Sequence, residues 1–122
     1  MSTNPTPFWA HTEGLASVAF SKDGSEIYTA GNDAVLRHWP QASAEVELTD
    51  SSVIDGHPEE AITCIDRAGD YLVTACEDGV IRVFSTEKNE LNSSITRFNL
   101  AARCVAVESI EGKATRIAAG SE

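Results

Sequence analysis

The chain has 122 residues, 19 acidic against 9 basic, giving a net charge of −10 with a hydrophobic content of 42%. A phosphate backbone is held by clustered Lys and Arg, and no such cluster occurs, so direct nucleic-acid binding by this chain is not expected. The apolar content is that of a folded chain, and no apolar run approaches the ~20 residues of a membrane-spanning helix, so no membrane role is expected either.

Residues 1–7 carry Pro5 and Pro7 among small polar side chains and predict a disordered leader; without a basic or apolar signal region, the default location is intracellular. Phe8-Trp9-Ala10-His11 reads as a short strand. Leu15–Phe20 is the next, and the Asp23-Gly24 turn reverses the chain into a strand from Glu26 to Ala30, because Gly accepts the positive φ that a tight hairpin needs. Gly31-Asn32-Asp33 turns it again into Ala34–Trp39, which Pro40 ends. Residues 41–55 are acidic and rich in Ser and Thr, and predict a loop with a short outer strand at Val53-Ile54. The Thr49–Ser52 cluster with Asp55 suits an acid-directed kinase, although a plain solvated loop is the preferred reading.

Gly56-His57 opens a second series: strands at Ala61–Asp66, Tyr71–Ala75, Val80–Ser85 and Ser94–Phe98, with turns at Arg67–Asp70 and Glu77–Gly79 and four polar residues at 86–89. A third begins with Arg103–Val107, loops through Glu111–Lys113 and reaches Arg116–Ala119. Apolar residues recur at spacings of 1 or 2, not 3 and 4, so no helix is expected.

The series are copies. Thr29-Ala30-Gly31-Asn32-Asp33 through Trp39 recurs 45 residues later as Thr74-Ala75-Cys76-Glu77-Asp78 through Phe84, and Ala118–Glu122 begins a third copy at a spacing of 44. A period of 44 to 45 residues with four strands per unit points to an all-β propeller, here two four-stranded antiparallel blades and the start of a third. Blade one is placed at about 15–57, blade two at about 58–100 and the partial third at 101–122, within one partial propeller spanning 8–122. Arrays of fewer than about three repeats are unstable, so the sequence reads as a piece of something longer and is not expected to be a stable monomer alone.

The repeat resembles the WD-repeat family in its Gly56-His57 pair and in the aromatic closing each third strand, Trp39 and Phe84. The resemblance implies a buried hydrogen-bond network in each blade: His11, Thr29, Asp33 and Trp39 in the first, and His57, Thr74 and Asp78 in the second, where Phe84 replaces Trp. In that network Asp accepts from His, and these residues are structural rather than catalytic. His38 is expected at the surface or between blades. Cys64, Cys76 and Cys104 are odd in number and lack CxxC spacing, so they read as small buried side chains; no metal site, cofactor or catalytic residue is expected.

Three strings also resemble the chromosome transmission fidelity family of replisome adaptors, known in animals as the acidic nucleoplasmic DNA-binding protein: Ala10-His11-Thr12-Glu13-Gly14, Ile95-Thr96-Arg97-Phe98 and Ile117-Ala118-Ala119-Gly120-Ser121. That resemblance implies a non-enzymatic scaffold, the N-terminal propeller of a nuclear protein tying the replicative helicase to DNA polymerase alpha. Its partners are replisome or chromatin proteins, and the full-length protein forms a homo-oligomer through regions outside this sequence. A WD-repeat scaffold of another pathway, such as a ubiquitin-ligase substrate receptor or a signalling adaptor, is the alternative.

Overall fold

A computed structural model describes residues 14–20, 26–39, 52–110 and 113–121. The strand expected at Phe8–His11, the 1–7 leader and His11 itself lie outside the described residues. Within them there are ten strands and no helix, in three antiparallel sheets. The first holds β1 (Leu15–Phe20), β2 (Ile27–Gly31), β3 (Leu36–Trp39) and β4 (Ser52–Ile54), each beside its neighbour in sequence. The second repeats that meander with β5 (Ile62–Ala68), β6 (Tyr71–Cys76), β7 (Val80–Ser85) and β8 (Glu90–Arg97), and the third pairs β9 (Ala102–Ile110) with β10 (Lys113–Ser121).

The 45-residue period holds down to single hydrogen bonds. In the first sheet the Ala34 amide donates to the Gly31 carbonyl and the Val35 amide to the Asp33 carboxylate; in the second the Gly79 amide donates to Cys76 and the Val80 amide to Asp78. The Asn32 and Glu77 amides each reach back across their sheet, to the carbonyls of Gly14 and Ala61. The last turn residue is left-handed in both copies, at φ +85° for Gly79 and +65° for Ala34. Gly79 is also confined by space, since a Cβ there would lie 2.4 Å from the Phe98 carbonyl oxygen.

Several strands are longer than the turn signals suggested. β5 runs on through Arg67 and Ala68, because Gly69, at φ +57°, makes the reversal with Asp70 alone. β8 starts at Glu90 rather than Ser94, after Asn89 turns the chain at φ +53°. Asn tolerates that conformation better than other side chains.

The sheets stack face to face. Alternation puts Tyr28, Ala30, Leu36 and Ile54 on the face of the first sheet that meets Ile62, Ile65, Leu72 and Phe84 of the second. The second sheet's other face, with Val73, Ala75, Ile81 and Val83, meets Ala102 and Val105. β2 is buried throughout and β6 nearly so, which is why both lack polar alternation. Full burial of each large apolar side chain contributes about 1.5–3 kcal/mol, so these two seams hold the sheets together. Polar ties reinforce them along the first strand of each sheet. Ser17 both accepts from the Ile65 amide and donates to its carbonyl, Thr63 donates to the Ala102 carbonyl, and Asp66 accepts from the Val107 amide.

Candidate functional site

Register places Thr29 opposite Arg37 and Ile27 opposite Trp39, so Thr29 and Trp39 share a face as diagonal neighbours. The Trp39 indole donates from Nε1 to Thr29 Oγ1 at 2.9 Å, with both residues buried. Asp33 stands in the preceding turn, where its carboxylate takes the Val35 amide.

In the second sheet His57 Nε2 lies 2.8 Å from Thr74 Oγ1, and the imidazole stacks on the Phe84 ring at 5.1 Å and 22°. Gly56 makes that approach possible: at φ +138° it turns His57 inward, and a Cβ there would meet Phe84 Cε2 at 3.0 Å. The ring nitrogen left over, Nδ1, is buried and has no hydrogen-bond partner. Burial, and then the nearby Arg82 guanidinium, hold the imidazole down to about pKa 4 against a weaker pull from Asp78 in the other direction. His57 is therefore neutral at physiological pH.

The His-to-Asp link implied by the family resemblance is not made in this sheet. Asp78 instead accepts from Arg82 Nη1 at 3.3 Å and Nη2 at 2.7 Å, and from the Val80 amide at 3.0 Å. A guanidinium four residues on, offering two charge-assisted bonds, is a stronger partner than a neutral imidazole. Burial acts to raise the Asp78 carboxyl, but bonds from Arg82, Val80 and the Cys76 thiol outweigh it and hold the group below the usual carboxylate range.

His38 sits at the joint between the first two sheets, buried against Tyr28 with ring centroids 5.0 Å apart. Its Nε2 lies 2.8 Å from Glu26 Oε1 and its Nδ1 faces the Asn89 amide nitrogen at 3.4 Å, while the Tyr28 hydroxyl donates to Asn89 Oδ1 at 3.2 Å. Burial, and then Glu26, push the Tyr28 hydroxyl up to about 12, so it remains a donor. Sequence reasoning missed Glu26, Tyr28 and Asn89 in this role. No local signal marks them, since Asn89 lies 51 residues from His38 and 61 from Tyr28. The cysteines divide: Cys76 is buried, with its thiol pushed up to about 11 by desolvation, and Cys64 is partly buried, but Cys104 is exposed. The expectation of three buried thiols fails there because Cys104 points to the open face of the third sheet, away from the Val105 seam. Among the described residues no three His, Cys, Asp or Glu side chains are grouped as metal ligands.

These side chains fasten sheets and turns, and repeated four-stranded antiparallel blades with such fasteners define a β-propeller segment. The chain belongs to the WD domain, G-beta repeat family, whose model matches residues 3–40 and 49–85. Among curated proteins it is 32% identical over 112 residues to Minichromosome loss protein 1 of Schizosaccharomyces pombe, covering 92% of this chain and 13% of that protein. It is 34% identical over 113 residues to human WD repeat and HMG-box DNA-binding protein 1, covering 93% and 9%. The chain is thus homologous, over most of its length, to members of the chromosome transmission fidelity adaptor family, and it spans about a tenth of their length. Among solved structures, U3-55K superposes with a TM-score of 0.66 at 15% identity over 79% of this chain and 28% of that one, a likeness of fold alone.

Proposed function

We propose that this chain is a protein-interaction scaffold segment, part of the N-terminal propeller of a nuclear replication adaptor that links the replicative helicase to DNA polymerase alpha. The observation that supports it best is identity above 30% across nearly the whole chain to Minichromosome loss protein 1 and to WD repeat and HMG-box DNA-binding protein 1, from distant organisms, which exceeds what a shared propeller fold alone requires. On this reading the repeats form blades at about 15–57, 58–100 and 101–122. His11, Thr29, Asp33 and Trp39, with His57, Thr74 and Asp78, serve as structural ties, and none acts on a substrate. The chemistry of the described ties fits: each is engaged with protein groups inside a blade. The partners are replisome or chromatin proteins, met through a surface carrying the excess of 19 acidic over 9 basic residues.

The test is to immunoprecipitate the full-length protein from replicating cells and probe for subunits of the helicase and of polymerase alpha. Recovery of both, with nuclear staining, is expected. Exclusion of the protein from the nucleus, or absence of both partners, overturns the proposal in favour of a WD-repeat scaffold of another pathway.

A further inference from the structure

We propose that Ser52 is a phosphate acceptor for an acid-directed protein kinase, and that its phosphate faces His38 at the joint between the first two sheets. Acid-directed kinases require a carboxylate three residues after the acceptor hydroxyl. Across the whole sequence three hydroxyls meet that spacing: Ser52 with Asp55, Thr63 with Asp66, and Thr74 with Glu77. The fold removes two of them. Thr74 is fully buried beside His57, and Thr63 is tied to the carbonyls of Ala75 and Ala102 on the seam between sheets, with Asp66 occupied by the Val107 amide. Ser52 is exposed, as is Asp55.

The backbone suits a kinase as well. A protein kinase takes its substrate as an extended segment, and β4 is already extended. It is only three residues long and, among the described strands, lies at the end of its sheet and pairs with β3 alone. In the transfer the Ser52 hydroxyl oxygen bonds to the γ-phosphorus of ATP. The bond from that phosphorus to the β,γ-bridging oxygen breaks, ADP leaves, and the hydroxyl proton passes to the kinase base and then to water.

The position gives the modification something to act on. Ser52 pairs with His38 in the register of β3 and β4, so both side chains lie on the face that also carries Tyr28, and Glu26, just before β2, reaches His38 Nε2. A phosphate brings a charge of about −1.5 to −2 to that face. The charged and titratable groups that meet His38 there are Glu26 and Tyr28 from its own sheet; Arg67 of β5 lies close enough to act on Tyr28, and Asn89 approaches from the second sheet as an uncharged partner. The new charge therefore arrives where the Asn89 tie between the sheets is anchored.

The experiment incubates the full-length native protein with ATP and the catalytic subunit of casein kinase 2, and locates phosphate by fragmentation of the peptide that contains Ser52. Phosphate on Ser52 is expected, lost in Ser52→Ala and formed about tenfold more slowly in Asp55→Asn, the scale of one charge-assisted contact. An Asp55→Asn rate equal to wild type, or a peptide modified only after denaturation, overturns the assignment of the site. In protein with labelled histidine, phosphorylation is expected to move the His38 ring resonances and leave those of His57 in place; an unmoved His38 overturns the placement of the phosphate.

Discussion

Asp78 grips Arg82 through both carboxylate oxygens, with the shorter contact at 2.7 Å, and leaves His57 to Thr74 alone. Both charged side chains are largely buried, at 16% and 10% exposure, so neither is well solvated by water if the other is removed. Truncating one member of such a pair costs about 3–5 kcal/mol, most of it from the charge left behind, whereas replacing both with apolar groups costs far less. Asp78→Ala is therefore expected to destabilise a folded length of the protein by about 3 kcal/mol, and Asp78→Ala combined with Arg82→Met by clearly less than either single change. Urea unfolding of the four variants measures this; additive losses contradict the pairing.

His57 predicts a pH dependence. Its folded-state pKa, lowered to about 4 by burial and then by Arg82, lies below the ordinary value of 6.5. Between those values the unfolded chain binds more protons than the folded one, so stability rises with pH through the window. The contribution is fully present above pH 6.5 and is lost as pH falls toward 4, an effect of up to about 3 kcal/mol. His57→Phe should flatten the profile from pH 6.5 to 4, measured as Tm against pH. A slope unchanged by the substitution counts against the buried neutral imidazole.

Ala34 occupies the left-handed turn position that Gly79 holds one repeat later, at φ +65° against +85°. A Cβ costs roughly 1 kcal/mol in that conformation, offset in part by the extra freedom a glycine gives the unfolded chain. Ala34→Gly should therefore raise stability by about 0.5 kcal/mol, while Gly79→Ala, with its Cβ driven against the Phe98 carbonyl, should lower it by more than about 2 kcal/mol. Thermal melts of the two variants read opposite signs if the turns are equivalent.

Most of the architecture was legible because its signals are local. The turns closing on Asp33 and Asp78, the paired Thr-Ala strands and the closing aromatics each act within a few residues, and the 45-residue period then multiplies them into blades. The Thr29–Trp39 and His57–Thr74 bonds join positions that the period and the family resemblance single out. The Asp78–Arg82 pair was harder to see. Its i,i+4 spacing crosses a turn into a strand, and the choice between imidazole and guanidinium depends on three-dimensional reach. Asn89 was illegible for a deeper reason: nothing near it in sequence shows that its amide meets Tyr28 and His38, 61 and 51 residues away, since that contact exists only once two sheets stack.

Asn89 does two separable things at that joint, holding a left-handed turn at φ +53° and bridging Tyr28 to His38 with its amide. Asn89→Gly keeps the turn and removes the bridge, so its loss, about 1 kcal/mol, reports the side-chain bonds. Asn89→Ala removes the bridge and leaves in the left-handed region a side chain without the short polar group by which Asn tolerates it, which adds roughly 1 kcal/mol. Tyr28→Phe removes the donor to Asn89 Oδ1, so in the Asn89→Gly background it should cost less than in wild type, with a coupling of at least about 0.5 kcal/mol. A double-mutant cycle by denaturant unfolding checks this. Coupling indistinguishable from zero means that the two sheets are held by their apolar seam and the backbone ties of Ser17 to Ile65, and that the Asn89 bridge is incidental to their stacking.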